Sequence, residues 1–260
     1  MKPLIFIALC ISLQSCIIYP VMHYSVAQNV PVITEKGEAQ LSASTGTETF
    51  GVQGAYGITN SISVMGSYST GANDMIGDGD NAGITELDNG NRFSGELAVG
   101  YFYPFTDNFS FEIYGGVERY FRNYSVYSYY GQEGPTSDMR TYMSKPFVQL
   151  DLGLHTVNKN GVALSLKVGD MIFDHFYDKV TTLNNNYQNQ TNILTSYPSA
   201  SIVEPCLTFH FGGKIISGQI QLGMTWPYFD YSPNYLVNLE NPDMFIEFGL
   251  QSRLFKVHEK

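Results

Sequence analysis

The sequence predicts an all-β chain closed as an antiparallel up-and-down β-barrel of about ten strands, of the membrane type. Three observations predict it. Apolar and polar residues alternate with period two over segments of about ten residues or more, which suits tilted membrane-crossing strands better than the shorter strands of globular sheets. The connections between these segments alternate between short and long. No stretch after residue 16 approaches the roughly 18 consecutive apolar residues of a membrane helix, so a closed barrel is the structure left for crossing a bilayer.

Residues 1–15 read as a targeting segment. Met1-Lys2 is a short positive start, and Leu4 to Leu13 is apolar but too short to span a bilayer. The segment ends in Leu13-Gln14-Ser15-Cys16, which resembles the lipobox of bacterial lipoproteins. That resemblance implies a diacylated, palmitate-type Cys16 as the new amino terminus. The plainer reading is an ordinary cleaved signal followed by a chance cysteine. Cys10 fits the pattern less well because bulky Leu9 precedes it. Of the three cysteines, cleavage removes Cys10 and lipidation consumes Cys16, so Cys206 has no partner for an intramolecular disulfide.

Residues 16–37 read as lipid anchor and linker, with Tyr19-Pro20, Pro31 and Lys36-Gly37 and no sustained period. The barrel is then expected over 38–256, with 257–260 as a short tail. Strands are expected near 38–46, 47–58, 61–70 and 91–104. The clearest strand, 108–122, sets Phe109, Phe111, Ile113 and Val117 against Ser110, Glu112, Glu118 and Arg122. Strand 147–156 sets Val148, Leu150, Leu152 and Leu154 against Gln149, Asp151, Gly153 and His155. Its partner, 161–173, does the same with Val162, Leu164, Leu166 and Val168, across an Asn158-Lys159-Asn160-Gly161 turn. Strands near 198–211, 214–226 and 244–255 complete the set.

Short turns fall at Thr59-Asn60, Phe105 to Asp107, Asn158 to Gly161 and Gly212-Gly213, with polar loops at 71–90, 123–142, 174–197 and 227–243. Short turns on one side and long loops on the other match periplasmic turns and external loops. An even strand number puts both chain ends on the short-turn side. Cys16 is accordingly expected in the inner leaflet, with 17–37 as its tether.

Thr34-Glu35-Lys36-Gly37-Glu38, Ala55-Tyr56-Gly57-Ile58-Thr59 and Glu204-Pro205 together resemble the small outer-membrane barrel lipoproteins of Gram-negative bacteria rich in Tyr and Asn. The resemblance runs from Glu35 to Phe255 and brings no catalytic residues with it. It implies outer-membrane lipids as surroundings, and export and barrel-assembly machinery as partners. One departure is that five residues follow Phe255, where such barrels commonly end on an aromatic.

The polar strand faces carry Arg92, Glu96, Glu112, Glu118, Arg122, Asp151, His155, Lys167, Glu204, His210, Glu247 and Arg253. Mixed in sign, they are expected to plug a narrow barrel with paired charges, Asp151 and Lys167 lying within cross-strand reach. A conducting pore or a lumenal ligand site is the alternative. Asp170, Asp174, His175 and Asp178 gather at a rim and read either as a solvated loop or as an acid–base or metal group. The loop from Asp78 opens like a calcium loop but fails at Ala82 and Asn89. Tyr120, Tyr124, Tyr127, Tyr129, Tyr130 and Tyr142 read as an interfacial girdle on a protruding hairpin, or as a contacting surface for sugar or protein.

A formal net charge of −10 excludes a nucleic-acid footprint. Neither a Gly-x-Ser-x-Gly elbow nor a Gly-x-x-x-x-Gly-Lys loop is present, and no cofactor or metal is expected. The leading expectation is a non-enzymatic outer-membrane barrel lipoprotein with a structural or surface-interaction role and an extracellular ligand of unspecified kind. The alternatives are a lipid-anchored soluble barrel or sandwich in the periplasm enclosing a small apolar ligand, and a rim hydrolase built on Asp170, Asp174 and His175.

Overall fold

The computed structural model describes residues 26–46, 49–72, 84–87, 91–106, 108–128, 135–156, 160–180, 199–213, 215–228 and 243–254. Cys16 and the segment before Val26 lie outside the described residues, as do most of the acidic 71–90 loop and the 256–260 tail. The strands are β1 (Ala39–Gly46), β2 (Phe50–Gly57), β3 (Ile62–Ala72), β4 (Ile84–Leu87), β5 (Asn91–Thr106) and β6 (Phe109–Ser128). They continue with β7 (Pro135–His155), β8 (Gly161–Val180), β9 (Ser199–Gly212), β10 (Ile216–Tyr228) and β11 (Asp243–Leu254).

Every pairing is antiparallel, and the sheet closes on itself through β1 with β11 and β6 with β7. Short β4 pairs with the outer end of β6, from Ile84↔Ser128 to Leu87↔Ser125, and β5 pairs with the rest of β6. The two therefore share one stave, and the closed barrel has ten. Closure removes the free strand edges that an open sheet would present.

Three loop assignments change, the first being 71–90, which holds the strand β4. Most of 123–142 and the start of 174–197 are strand, because β6, β7 and β8 run on past their neighbours to Ser128, from Pro135 and to Val180. Their polar sequence hid this. A strand beyond the apolar band needs pairing partners for its backbone but no apolar face, so β6–β7 continues as a protruding hairpin.

The side-chain distribution is inverted relative to a globular protein. Apolar residues point outward: Leu97 is 73% exposed, Leu250 67% and Leu41 65%, with Val99, Val148, Leu164, Val168 and Phe248 among the others. The polar alternates point inward and are buried, including Gln53, Glu118, Gln149, Lys167, Gln221 and Glu247. Aromatic residues ring the outer surface at two levels. Phe50, Tyr68, Phe93, Phe121, Tyr142, Trp226 and Tyr228 lie toward the long loops, while Tyr101, Tyr103, Phe105, Phe209 and Phe211 lie toward the short turns. Phe93 and Tyr103 lie ten residues apart on β5. At about 3.3 Å per residue and a tilt near 40°, that separation gives a band about 25 Å tall.

Residues 26–34, read from sequence as part of a linker, lie inside the barrel. Ala27, Gln28, Asn29, Val30, Val32 and Ile33 are all buried. This strap belongs to no sheet, so no ladder satisfies its backbone. Its sequence shows no period because every side of it meets protein.

Candidate functional site: the filled lumen

Two sets of contacts fill the lumen. The first is between the strap and the wall. Gln53 on β2 donates its side-chain amide to the Ala27 carbonyl at 2.9 Å, and Gln221 on β10 donates to the Gln28 carbonyl at 2.8 Å. Gln149 on β7 donates to the Asn29 carbonyl at 2.8 Å, and Gln40 on β1 reaches the Val32 carbonyl at 3.3 Å. Glutamine suits this role because its neutral amide supplies both donors and an acceptor, which is what an orphan peptide group requires.

The strap's own side chains reciprocate. Asn29 Nδ2 donates to the carbonyls of Gly54 and Gly66, which face each other across β2 and β3, at 2.9 and 3.1 Å. Gln28 Nε2 donates to the Glu204 carbonyl at 2.7 Å. Pro205 prepares that acceptor: it has no N–H, and the β9–β10 ladder skips Glu204 and Pro205 between Cys206 and Val203.

The strap's ends are fixed at opposite levels. Ala27 N–H donates to Glu247 Oε1 at 3.0 Å, and Glu247 also accepts from Ser44 at 2.7 Å and Thr49 at 2.9 Å. At the other end Thr34 donates from its N–H and its hydroxyl to Glu38 Oε2, at 2.8 and 2.9 Å. Val32 sits at φ 54°, a region a β-branched residue rarely adopts. Val30 and Val32 pack against Ala163, and a Cβ on Gly153 would stand 2.8 Å from a Val32 methyl. The missing side chain at 153 leaves room for this bend.

The second set is a buried ionic network between β5 and β9. Lys145 Nζ lies 2.9 Å from Glu118 and 2.7 Å from Glu204. Lys167 Nζ lies 2.5 Å from Glu96 and 3.9 Å from Glu118. Thr225 donates to the other Glu204 oxygen at 3.1 Å. The Lys167 ammonium also stands 4.6 Å over the Phe147 ring. All five charged side chains are nearly inaccessible to water.

The remaining sequence-derived lumen residues are placed as follows. Arg92 and Arg122 are buried and oppose each other across β5 and β6. Glu112 accepts from the Tyr114 hydroxyl at 2.7 Å. Asp151 lies opposite Ser165, with Lys167 diagonal to it opposite Gln149. Asp151 takes the Gln149 amide at 2.9 Å, while Lys167 reaches across the barrel to Glu96. Near the short turns Arg253 lies 4.0 Å from Glu38 and donates to Gln251 at 3.2 Å. His155 and His210 are buried on either side of Gly161. Cys206 is buried and free.

Sequence reasoning missed Lys145, Gln40, Gln53 and Gln221, and named Glu38 and Gln149 without giving either a role in the lumen. Lys145 escapes because Met143, Ser144 and Lys145 are buried in succession beside a register shift at Tyr142/Met143, which breaks the alternation. Pro146 then makes the strand seem to begin later. Gln149 was placed on the polar face of its strand, but the target it shares with Gln40, Gln53 and Gln221 was not visible.

At the rim, Asp170 and Asp174 are drawn apart. Asp170 accepts from Ser201 on β9 at 2.8 Å. Asp174, displaced at the register shift, accepts from Ser144 on β7 and lies 3.6 Å from the exposed Arg119. His175 pairs in register with outward-facing Tyr142. Among the described residues no group of three or more His, Cys, Asp or Glu could hold a metal ion. Asp174→Asn and His175→Ala are therefore expected to leave barrel assembly unchanged, read as the unboiled band in detergent electrophoresis. Loss of that band would give these side chains an assembly role.

No protein-family model matches the chain, and no curated protein matches it. Solved structures of similar shape include the outer membrane protease OmpT from Escherichia coli, with a TM-score of 0.49 and 9% identity over 84% of this chain and 93% of that one. The KdgM porin gives a TM-score of 0.32 and 10% identity over 83% and 98%. The NanC porin gives 0.29 and 9% over 85% and 99%.

Proposed function

We propose that this protein is an outer-membrane β-barrel lipoprotein, acylated at Cys16, that serves as a closed, non-catalytic scaffold presenting its long loops at the cell surface. The observation that carries the reading is the inverted barrel, with its apolar residues outside and its ionic network and glutamines inside. Water would not tolerate so large a continuous apolar surface on a soluble protein, whereas lipid favours it. The periplasmic alternative needs an apolar interior for its ligand, and the lumen described above is polar and occupied by the strap. The rim aspartates, both on β8, are turned to partners on opposite neighbours, Asp170 to Ser201 on β9 and Asp174 to Ser144 on β7, which gives a hydrolase no converging acid and base. Surrounding lipids, the assembly machinery and a surface ligand are the partners this reading requires.

Leu97 tests membrane placement. It lies midway along β5 between the two aromatic levels and is 73% exposed. Leu97→Arg is expected to cost about 2–4 kcal/mol when the barrel is unfolded from lipid vesicles, the penalty for a cation near the midplane. The intact protein should also migrate differently with and without boiling. An unchanged stability in Leu97→Arg, together with identical migration, would mean that this face meets water.

A further inference from the structure

The strap fixes the direction in which the chain enters the barrel. Its carboxyl-terminal end is at the short-turn mouth: Gly37 N–H donates to the Gly57 carbonyl at 2.8 Å, and Gly57 N–H donates to the Glu38 carbonyl at 2.9 Å. Ile33, just before it, packs with Ala55, Phe102 and Tyr114. Phe102 is tied by its N–H to Ser61 in the short β2–β3 turn. The amino-terminal end of the strap is at the other mouth. Glu247, which holds Ala27 N–H, pairs in register with Gly46 at the long-loop end of β1. Val26 packs on the cluster of Tyr120, Met143, Met171, Ala200 and Ile202, beside the start of β9 at Ser199. Between Val26 and Gly37 the chain thus runs the height of the lumen.

We propose that the chain upstream of Val26 emerges from the long-loop mouth, so that the mature amino terminus with its acylated Cys16 lies on the cell-surface side. The acyl group rests on the lipoprotein reading; the direction of threading does not. This reverses the inner-leaflet anchor expected from an even strand number, because that rule counts wall strands and overlooks a pass through the lumen. A return to the short-turn side is blocked in two ways. Inside, it would need a second pass through a lumen already filled by the strap and the ionic network. Outside, it would lay unpaired backbone against lipid. Val26 is only ten positions after Cys16, at most about 35 Å of extended chain. That reach is enough to leave the mouth and place an acyl chain in the outer leaflet.

The test uses two cysteine probes in the full chain carrying Cys206→Ser, His23→Cys upstream of the strap and Lys36→Cys at the exposed short-turn end. A membrane-impermeant maleimide applied to intact cells is expected to label His23→Cys, and to label Lys36→Cys only after the outer membrane is permeabilised. Labelling of His23→Cys only after permeabilisation would overturn the threading. A protease site inserted between Tyr24 and Ser25 gives a second readout, with cleavage in intact cells expected and protection there counting against the proposal. Metabolic labelling with an alkyne fatty acid, with and without Cys16→Ala, reports acylation separately. Absent label with external cleavage would sink the lipid anchor and leave the threading intact.

Discussion

A chain lacking residues 26–34 is expected to assemble as a barrel and to conduct ions across a planar bilayer, where the intact protein is expected to be silent. The barrel should survive because its closure rests on the continuous ladders from β1 to β11, to which the strap adds no strand. What disappears is the filling that meets β1, β2, β3, β10 and β11 on one side and β7, β8 and β9 on the other. Gln40, Gln53 and Gln221 lose their backbone acceptors there, and Glu247 loses the Ala27 N–H. Polar groups left without partners in a cavity draw in water, and a water-lined column across a membrane passes ions. An extended chain occupies about 5 by 10 Å in cross-section, so the vacated path should admit hydrated monovalent ions. A graded version is Gln53→Ala with Gln221→Ala, which strands two strap carbonyls at about 1–3 kcal/mol each and should raise the frequency of brief openings without a permanent pore. If the deletion variant stays silent while retaining heat-modifiable migration, the ionic network alone seals the lumen.

Most of the wall was legible in the sequence. Leu150, Leu152 and Leu154 alternating with Gln149, Asp151 and Gly153 are enough to place β7 and its two faces, since a one-residue slip would exchange outer surface and lumen for every side chain. The outer ends of β6 and β7 were not legible. There Asn123, Ser125 and Ser137 sit in paired strand beyond the apolar band, and polar residues in a strand free of any apolar requirement look like loop. The strap was illegible for a different reason. Val30, Val32 and Ile33 are buried, but so are Gln28 and Asn29 between and beside them, because the surroundings are alternately apolar side chains and peptide groups. Its signal lay in the wall, where inward glutamines recur on β1, β2, β7 and β10. Glu204-Pro205 was noticed as a motif, and the structure gives its physical sense: the proline breaks the ladder and frees the carbonyl that Gln28 uses.

Lys145→Met is expected to destabilise the barrel by about 3–5 kcal/mol in urea unfolding from lipid vesicles, more than any single substitution on the outer face. Lys145 is the only cation of the network within 3 Å of two carboxylates, those of Glu118 and Glu204. Without it Glu118 keeps Lys167 at 3.9 Å, and Glu204 keeps the Thr225 hydroxyl at 3.1 Å. Lys167 is already engaged by Glu96 and the Thr225 hydroxyl carries no charge, so the carboxylates shielded from water would share one cation instead of two, and the cost is that of under-compensated buried charge rather than of one lost hydrogen bond. The decisive comparison is the triple variant Lys145→Met, Glu118→Gln, Glu204→Gln. It removes one cation and two anions together, so the penalty for buried unpaired charge largely disappears. Stability should return to within about 1–2 kcal/mol of the parent, a strongly non-additive result. If the triple variant is instead less stable than Lys145→Met alone, the carboxylates stabilise the barrel through partners other than Lys145. Lys167 would be the first to examine, since Glu96 holds it at 2.5 Å and Glu118 lies within its reach.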